Sequence, residues 1–126
     1  MMRFTFGKKE KLCSRKTLAE LFAKGKSENH YPVRIVWMEM EKEDDIYARV
    51  AVSVSKRSFK RALDRNRIKR LMREAYRNNK SMLEEFCKSR NTTLAILFIY
   101  TGKELPEYVM VQAKIILSLK RFQDYV

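Results

Sequence analysis

The stretch from Lys56 to Lys80 constrains the fold of this chain most, because it combines dense positive charge with a helical apolar pattern. Eleven lysines and arginines stand there against Asp64 and Glu74, so nine of the chain's thirteen excess positive charges fall in about one fifth of its 126 residues. Charge of this density alone would also suit a disordered basic tail. The apolar residues, however, recur at the spacing of one helical face: Ile68, Leu71, Met72, Ala75 and Tyr76.

The opposite face of this predicted helix carries polar and cationic side chains. The helical repeat places them on one side of the axis, with Lys69 at the edge: Asn66, Arg70, Arg73 and Arg77. We expect Asp64 to be the N-cap, since its carboxylate can accept backbone N–H groups that the first turn leaves unpaired. A face that serves only solubility normally mixes both signs of charge. This one hardly does, so we expect it to bind a polyanion.

Two neighbouring segments resemble the bacterial ribonuclease P protein subunit family. The run Arg65-Asn66-Arg67-Ile68-Lys69-Arg70, with the arginines and glutamate that follow it, is similar to that family's RNR signature. Upstream, the VSVSKR run at 52–57 matches the family's strand and basic pair at the same spacing. The resemblance covers nearly the whole chain. It departs from the pattern at Phe59, where the family has glycine, and at Leu18, where an aromatic residue is frequent.

The order of predicted elements is α-β-β-(basic α)-β-α, with one further strand near the start or in the hairpin. Ser14 and Gly25 bound a short first helix with Leu18, Leu21 and Phe22 toward the core. The acidic turn at 41–46 predicts a hairpin between strands 32–40 and 47–55. Apolar residues 93–100 predict a central strand, and 107–122 a last helix.

These elements indicate an α+β fold, an α/β sandwich. The expectation is a mixed sheet of about four strands packed with about three helices. General rules favour a right-handed connection between the parallel strands around the basic helix. The resemblance implies the rare left-handed βαβ crossover instead.

Length and composition bound the remaining possibilities. At 126 residues we expect one RNA-binding domain, 1–126, in which residues 1–13 form a basic extension anchored by Phe4, Phe6 and Leu12. No apolar run is long enough for a membrane span or a signal core, so we expect a cytoplasmic protein without a membrane partner. Cys13 and Cys87 are interpreted as reduced thiols, because they lack metal-ligand spacing.

The function that the resemblance implies is that of an RNA-binding subunit. No motif in the chain could cut a phosphodiester, so we expect no catalytic residue and no protein metal site here. The resemblance implies that the ribonuclease P catalytic RNA removes the 5′ leader of precursor tRNA, with Mg²⁺ held mainly by that RNA. No organic cofactor and no obligate protein partner are expected.

Carried onto this sequence, the resemblance predicts two sets of contact residues. The 5′-leader cleft is expected at Phe22, Val36 and Ser53. Contacts to the catalytic RNA and tRNA are expected from the basic stretch: Lys56, Arg57, Lys60, Arg61, Arg65, Asn66, Arg67, Lys69, Arg70, Arg73 and Arg77.

Three other interpretations of the basic helix compete with this one. A general RNA-binding module, such as a ribosomal protein or an RNA chaperone, would share the charge without processing tRNA. A DNA-binding regulator would need a helix-turn-helix partner or a dimer surface, and the sequence shows neither. A membrane-surface helix would need the apolar face that the core uses here.

Overall fold

The computed structural model describes residues 11–12, 14–43 and 45–124. One sheet and four helices make up this part of the chain, and a 3₁₀ turn at Lys80–Leu83 joins the second helix to the third. The helices are α1 (Arg15–Lys24), α2 (Ala62–Asn79), α3 (Glu84–Arg90) and α4 (Tyr108–Asp124). The strands are β1 (Lys26–His30), β2 (Val33–Glu41), β3 (Ala48–Val54) and β4 (Thr92–Tyr100). The predicted α+β class with a mixed four-stranded sheet is confirmed, and β1 is the additional early strand.

The strand order is β1-β2-β4-β3, and only β3 and β4 run parallel. The predicted hairpin between β2 and β3 is therefore wrong, because β4 lies between these two strands. The physical reason lies in β4 itself. Its residues are apolar on both faces and almost all buried, so it occupies an interior position of the sheet and separates the two half-polar strands. Strand β3, helix α2 and strand β4 form the predicted parallel crossover.

The two faces of the sheet are covered by different helices. On one face α2 and α4 pack on the larger core, which includes the predicted stripe of Val111, Ile115 and Leu119. Trp37 belongs to this core, edge-on to the Phe122 ring at 5.6 Å between centroids, so its ring does not face solvent. On the other face α1 covers a smaller apolar cluster around Leu21.

Two local expectations, at the start of α2 and on the inner face of α1, need correction. Helix α2 begins three residues earlier than predicted, with Arg61 at the N-cap, so Asp64 lies in the first turn. There its carboxylate still faces the positive end of the helix dipole. Helix α1 buries Leu21 but leaves Phe22 exposed, because its short apolar stripe is narrower than the predicted one.

The described cysteine is an ordinary buried thiol. Burial raises the pKa of Cys87 to about 12, which keeps it protonated, and its Sγ donates to the Tyr47 carbonyl at 3.2 Å. Cys13, Phe4 and Phe6 lie outside the described residues, whereas Leu12 is buried as predicted. None of the described helices is long and apolar enough to cross a membrane.

Candidate RNA interface

Helix α2 presents its two faces as the sequence predicted. Ile68, Met72, Ala75 and Tyr76 are buried, and the Tyr76 ring lies 6.1 Å from the ring of Phe98 on β4. This burial fixes the rotation of the helix about its axis. The outer face is therefore held toward solvent by the core and presents these exposed side chains: Arg61, Asn66, Arg67, Arg70 and Arg73. Three predicted contact residues are partly buried at its flanks: Arg65, Lys69 and Arg77.

Within the described ranges, few salt bridges join the cations of the basic stretch to acidic residues. Among the described residues, the salt bridges of this stretch are long: Arg61 Nε lies 3.9 Å from Asp64 Oδ2, and Arg77 Nη2 lies 3.8 Å from Glu74 Oε1. Both pairs are on the helix surface, where such contacts contribute little. The outer face of α2 thus keeps most of its positive charge available for a ligand.

A residue outside the predicted set joins this surface. The backbone N–H of Leu12 donates to the Val50 carbonyl at 2.9 Å, which sets residues 11 and 12 beside the edge of β3. Lys11 then lines a shallow pocket of about 330 Å³ together with Arg70, Arg73 and Arg77. Four cations around the single carboxylate of Glu74 make a site that favours an anion. Proximity to α2 could not be predicted, because Lys11 precedes the helix by fifty residues.

The basic loop between β3 and α2 is a turn whose cations all point outward. Lys56, Arg57 and Lys60 are exposed, while Phe59 is buried and packs against Tyr100 at 5.9 Å between ring centroids. The N–H of Phe59 donates to the Ser55 carbonyl at 3.1 Å. Phe59, where the sequence departs from the pattern that the resemblance implies, thus anchors the loop to the core with an aromatic side chain.

Arg65 holds the same loop from the other side. Its Nη1 donates to the Phe59 carbonyl at 2.8 Å and to the Lys60 carbonyl at 2.9 Å. A guanidinium that satisfies two loop carbonyls fixes the direction in which the neighbouring cations project. Arg65 therefore lies at the predicted site, but its two hydrogen bonds indicate that it positions the loop there.

The predicted cleft residues lie around the sheet face that α1 partly covers. Phe22 is 67% exposed on α1, and Ser53 is exposed on β3. Val36 lies on the same face of β2 but is only 5% exposed, in the cluster with Leu21 and Leu97. Val36 can thus contribute to the floor of a cleft, whereas Phe22 and Ser53 are open to a ligand.

Arg49, the arginine that β3 contributes to this face, is already paired. Its Nε and Nη2 donate to the two carboxylate oxygens of Glu43 at 2.6 and 2.8 Å. The hydrogen bond from Arg49 holds the pKa of Glu43 below its ordinary value. Within the described ranges, no group of three histidine, cysteine or acidic residues could hold a metal ion.

Comparison with known proteins points to ribonuclease P. The Ribonuclease P family profile matches residues 6–121. The ribonuclease P protein component of Porphyromonas gingivalis is 39% identical over 97% of this chain and 90% of its own length. That of Chlorobium phaeobacteroides is 32% identical over 86% and 81%. The solved RNase P protein of Thermotoga maritima superposes with a TM-score of 0.69 at 26% identity, covering 89% of this chain and 96% of that one.

Proposed function

The chain belongs to the Ribonuclease P family, the protein subunits whose role is the processing of tRNA 5′ ends, and we propose that it acts there purely by binding RNA. The observation that carries the proposal is the outer face of α2 with its adjoining loop. A rigid row of exposed cations, with few acidic partners among the residues that the structure describes, is suited to a phosphate backbone.

The catalytic RNA of ribonuclease P is the proposed partner of this surface. Arg67, Arg70 and Arg73 would contact its phosphates from one side of α2, and Lys56 and Arg57 would do so from the loop. Each phosphate contact releases counterions, which favours association and makes it sensitive to salt. Neutralising charge at the junction also reduces the repulsion between the catalytic RNA and the tRNA.

The 5′ leader of precursor tRNA is the proposed ligand of the cleft beside α1. An exposed aromatic ring such as Phe22 offers a stacking surface that accepts any base. Small side chains such as Ser53 allow a backbone to approach the sheet closely. A contact that only the leader can make would favour precursor over mature tRNA.

The chemistry is proposed to lie in the RNA subunit. Endonucleolytic removal of the leader would use Mg²⁺ held mainly by the RNA, as the resemblance implies, while the residues of this chain bind and orient the two RNAs. We place the protein in the cytoplasm with these two RNA partners, and without an obligate protein partner or a membrane.

The test is cleavage of precursor tRNA by a bacterial ribonuclease P RNA at low Mg²⁺, with and without this protein. We expect the mature 5′ end only when both are present, and no cleavage by the protein alone. If the protein bound the RNA but left cleavage unchanged, the general RNA-binding module would be the better interpretation.

A further inference from the structure

The register of the sheet places four residues in a row across the face that α1 leaves uncovered. Asn29 on β1 pairs with Arg34 on β2, Arg34 pairs with Ile99 on β4, and Ile99 pairs with Ser53 on β3. Neighbouring strands lie about 4.8 Å apart, so the backbones of Ser53 and Arg34 are about 10 Å apart. Within this row Asn29, Arg34 and Ser53 are exposed, and Ile99 is partly buried.

Of the two arginines that the described strands contribute to this face, Arg34 is the one without a carboxylate partner there. The arginine that β3 contributes, Arg49, gives two hydrogen bonds to the Glu43 carboxylate. Arg34 instead makes a single hydrogen bond of 3.3 Å from Nη2 to Ser27 Oγ, and forms no salt bridge within the described part of the chain. A guanidinium has five N–H donors, so most of its donors are free for an anionic ligand.

Arg34 and Val36, the β2 residue predicted to line the cleft, also differ in exposure: Arg34 is exposed and Val36 is buried. Both side chains lie on the same face, two residues apart along the strand. Val36 lies beneath α1, where an added Cβ on Gly25 would come within 3.0 Å of Val36 Cγ1. The end of β2 at Arg34 extends past this cover. A strand of RNA that follows the open face from Ser53 therefore passes over Ile99 and reaches Arg34.

We propose that Arg34 binds a phosphate of the 5′ leader beyond the nucleotides at Phe22 and Ser53, and so sets how much of the leader the protein recognises. This inference rests on the proposed function and adds a binding residue that the family signature does not include. Ile99 supplies an apolar surface between the two polar ends of the row, on which a base can pack.

The experiment measures the affinity of the holoenzyme for precursor tRNAs whose leaders are shortened one nucleotide at a time. For wild type we expect affinity to rise with leader length and then reach a plateau. Arg34→Ala should reach its plateau at a shorter leader and bind long leaders about three- to tenfold more weakly, the size of one charge-assisted contact. For long leaders only, the slope of log affinity against log salt concentration should become shallower by about 0.7.

Two further variants make the result specific. Arg34→Lys keeps the charge and should retain most of the salt slope. Lys120→Ala removes one exposed cation from α4, on the helix that covers the opposite face, and should behave as wild type. The proposal is overturned if Arg34→Ala shows the wild-type dependence on leader length, or if Lys120→Ala loses as much affinity.

Binding of a single-stranded RNA oligonucleotide to the protein alone separates this inference from the proposed function. If the protein did not stimulate cleavage, the proposed function would fail. A weaker oligonucleotide complex of Arg34→Ala would even then support the sheet contact. Equal binding by wild type and Arg34→Ala in this assay would reject it.

Discussion

The outer face of α2 and the rim of the sheet use arginine in opposite ways. Three arginines there have a carboxylate partner: Arg49 with Glu43, Arg90 with Glu39, and Arg121 with Glu28. Arg121 also lies over the Trp37 ring, 4.3 Å from its centroid. On α2, by contrast, Arg67, Arg70 and Arg73 form no salt bridge with any described residue.

This difference indicates that the arginines at the rim stabilise the fold, whereas those on the outer face of α2 are available to a ligand. Like charges three or four positions apart on a helix, such as Arg70, Arg73 and Arg77, destabilise it by a few tenths of a kcal/mol per pair. Burial of Ile68, Met72 and Tyr76 offsets that cost, at about 1.5–3 kcal/mol for a large apolar side chain. The helix can therefore present cations that its own fold does not need.

Removal of cations from α2 should have the largest effect on RNA binding. The double variant Arg67→Ala with Arg70→Ala should weaken assembly with the catalytic RNA and lower the salt slope by up to about 1.8, since each phosphate contact contributes about 0.9. The free energy of unfolding should change by less than about 0.5 kcal/mol, because neither side chain is buried. Filter binding over a salt series and urea unfolding measure the two quantities.

The matched control removes the same charge from α4. Lys114→Ala with Lys120→Ala also lowers the net charge by two, on a helix that packs against the same sheet face as α2. We expect a salt slope close to that of wild type. Equal losses in the two double variants would mean that net charge, and not the arrangement on α2, determines affinity.

Arg65 lies in the basic region, but its hydrogen bonds stabilise the fold, as those of the paired arginines at the rim do. Arg65→Ala leaves the carbonyls of Phe59 and Lys60 without their donor, so the free energy of unfolding should fall by about 1–2 kcal/mol. Arg65→Lys should also lose stability, because its ammonium group sits on a shorter stem and cannot reach the position of Nη1. Urea unfolding of both variants beside Arg67→Ala measures this. Equal stability of all three would assign Arg65 to the ligand-binding cations.

How far the sequence could predict these regions depends on the range of the interactions involved. The outer face of α2 and the buried strand β4 follow from local periodicity, and both were predicted. The two carbonyls that Arg65 binds, the proximity of Lys11 to α2 and the cover of α1 over Val36 depend on tertiary packing. The wrongly predicted hairpin between β2 and β3 has the same origin. A turn that connects two strands does not show whether they pair with each other or with a third strand, here β4.

Replacement of Arg49 should have a smaller effect. It should lower stability and leave RNA affinity nearly unchanged, whereas replacement of the α2 cations should do the reverse. Arg49→Ala removes both hydrogen bonds to Glu43, and the free energy of unfolding should fall by up to about 1 kcal/mol, since the pair is partly exposed. Under conditions where the variant is folded, its RNA affinity should stay within about twofold of wild type. A large loss of affinity in the folded variant would contradict the assignment of Arg49 to stability.

The smallest effect is the dependence of stability on pH that the carboxylates paired at the rim contribute. Hydrogen bonds from Arg49 and Arg90 hold the pKa values of Glu43 and Glu39 below the ordinary 4.5. A carboxyl whose pKa is lowered in the folded state stabilises the fold above the unfolded pKa and loses that contribution as pH falls through the folded one. The free energy of unfolding should therefore show no contribution to its pH dependence from these pairs between neutral pH and about 5, then a decline below 4.5. Arg49→Ala should flatten part of that decline. Arg67→Ala should keep the wild-type profile, because Arg67 forms no salt bridge with a described carboxylate. Urea unfolding at a series of pH values separates the two, and a flattened profile for Arg67→Ala would show that α2 also uses its charge to hold the fold.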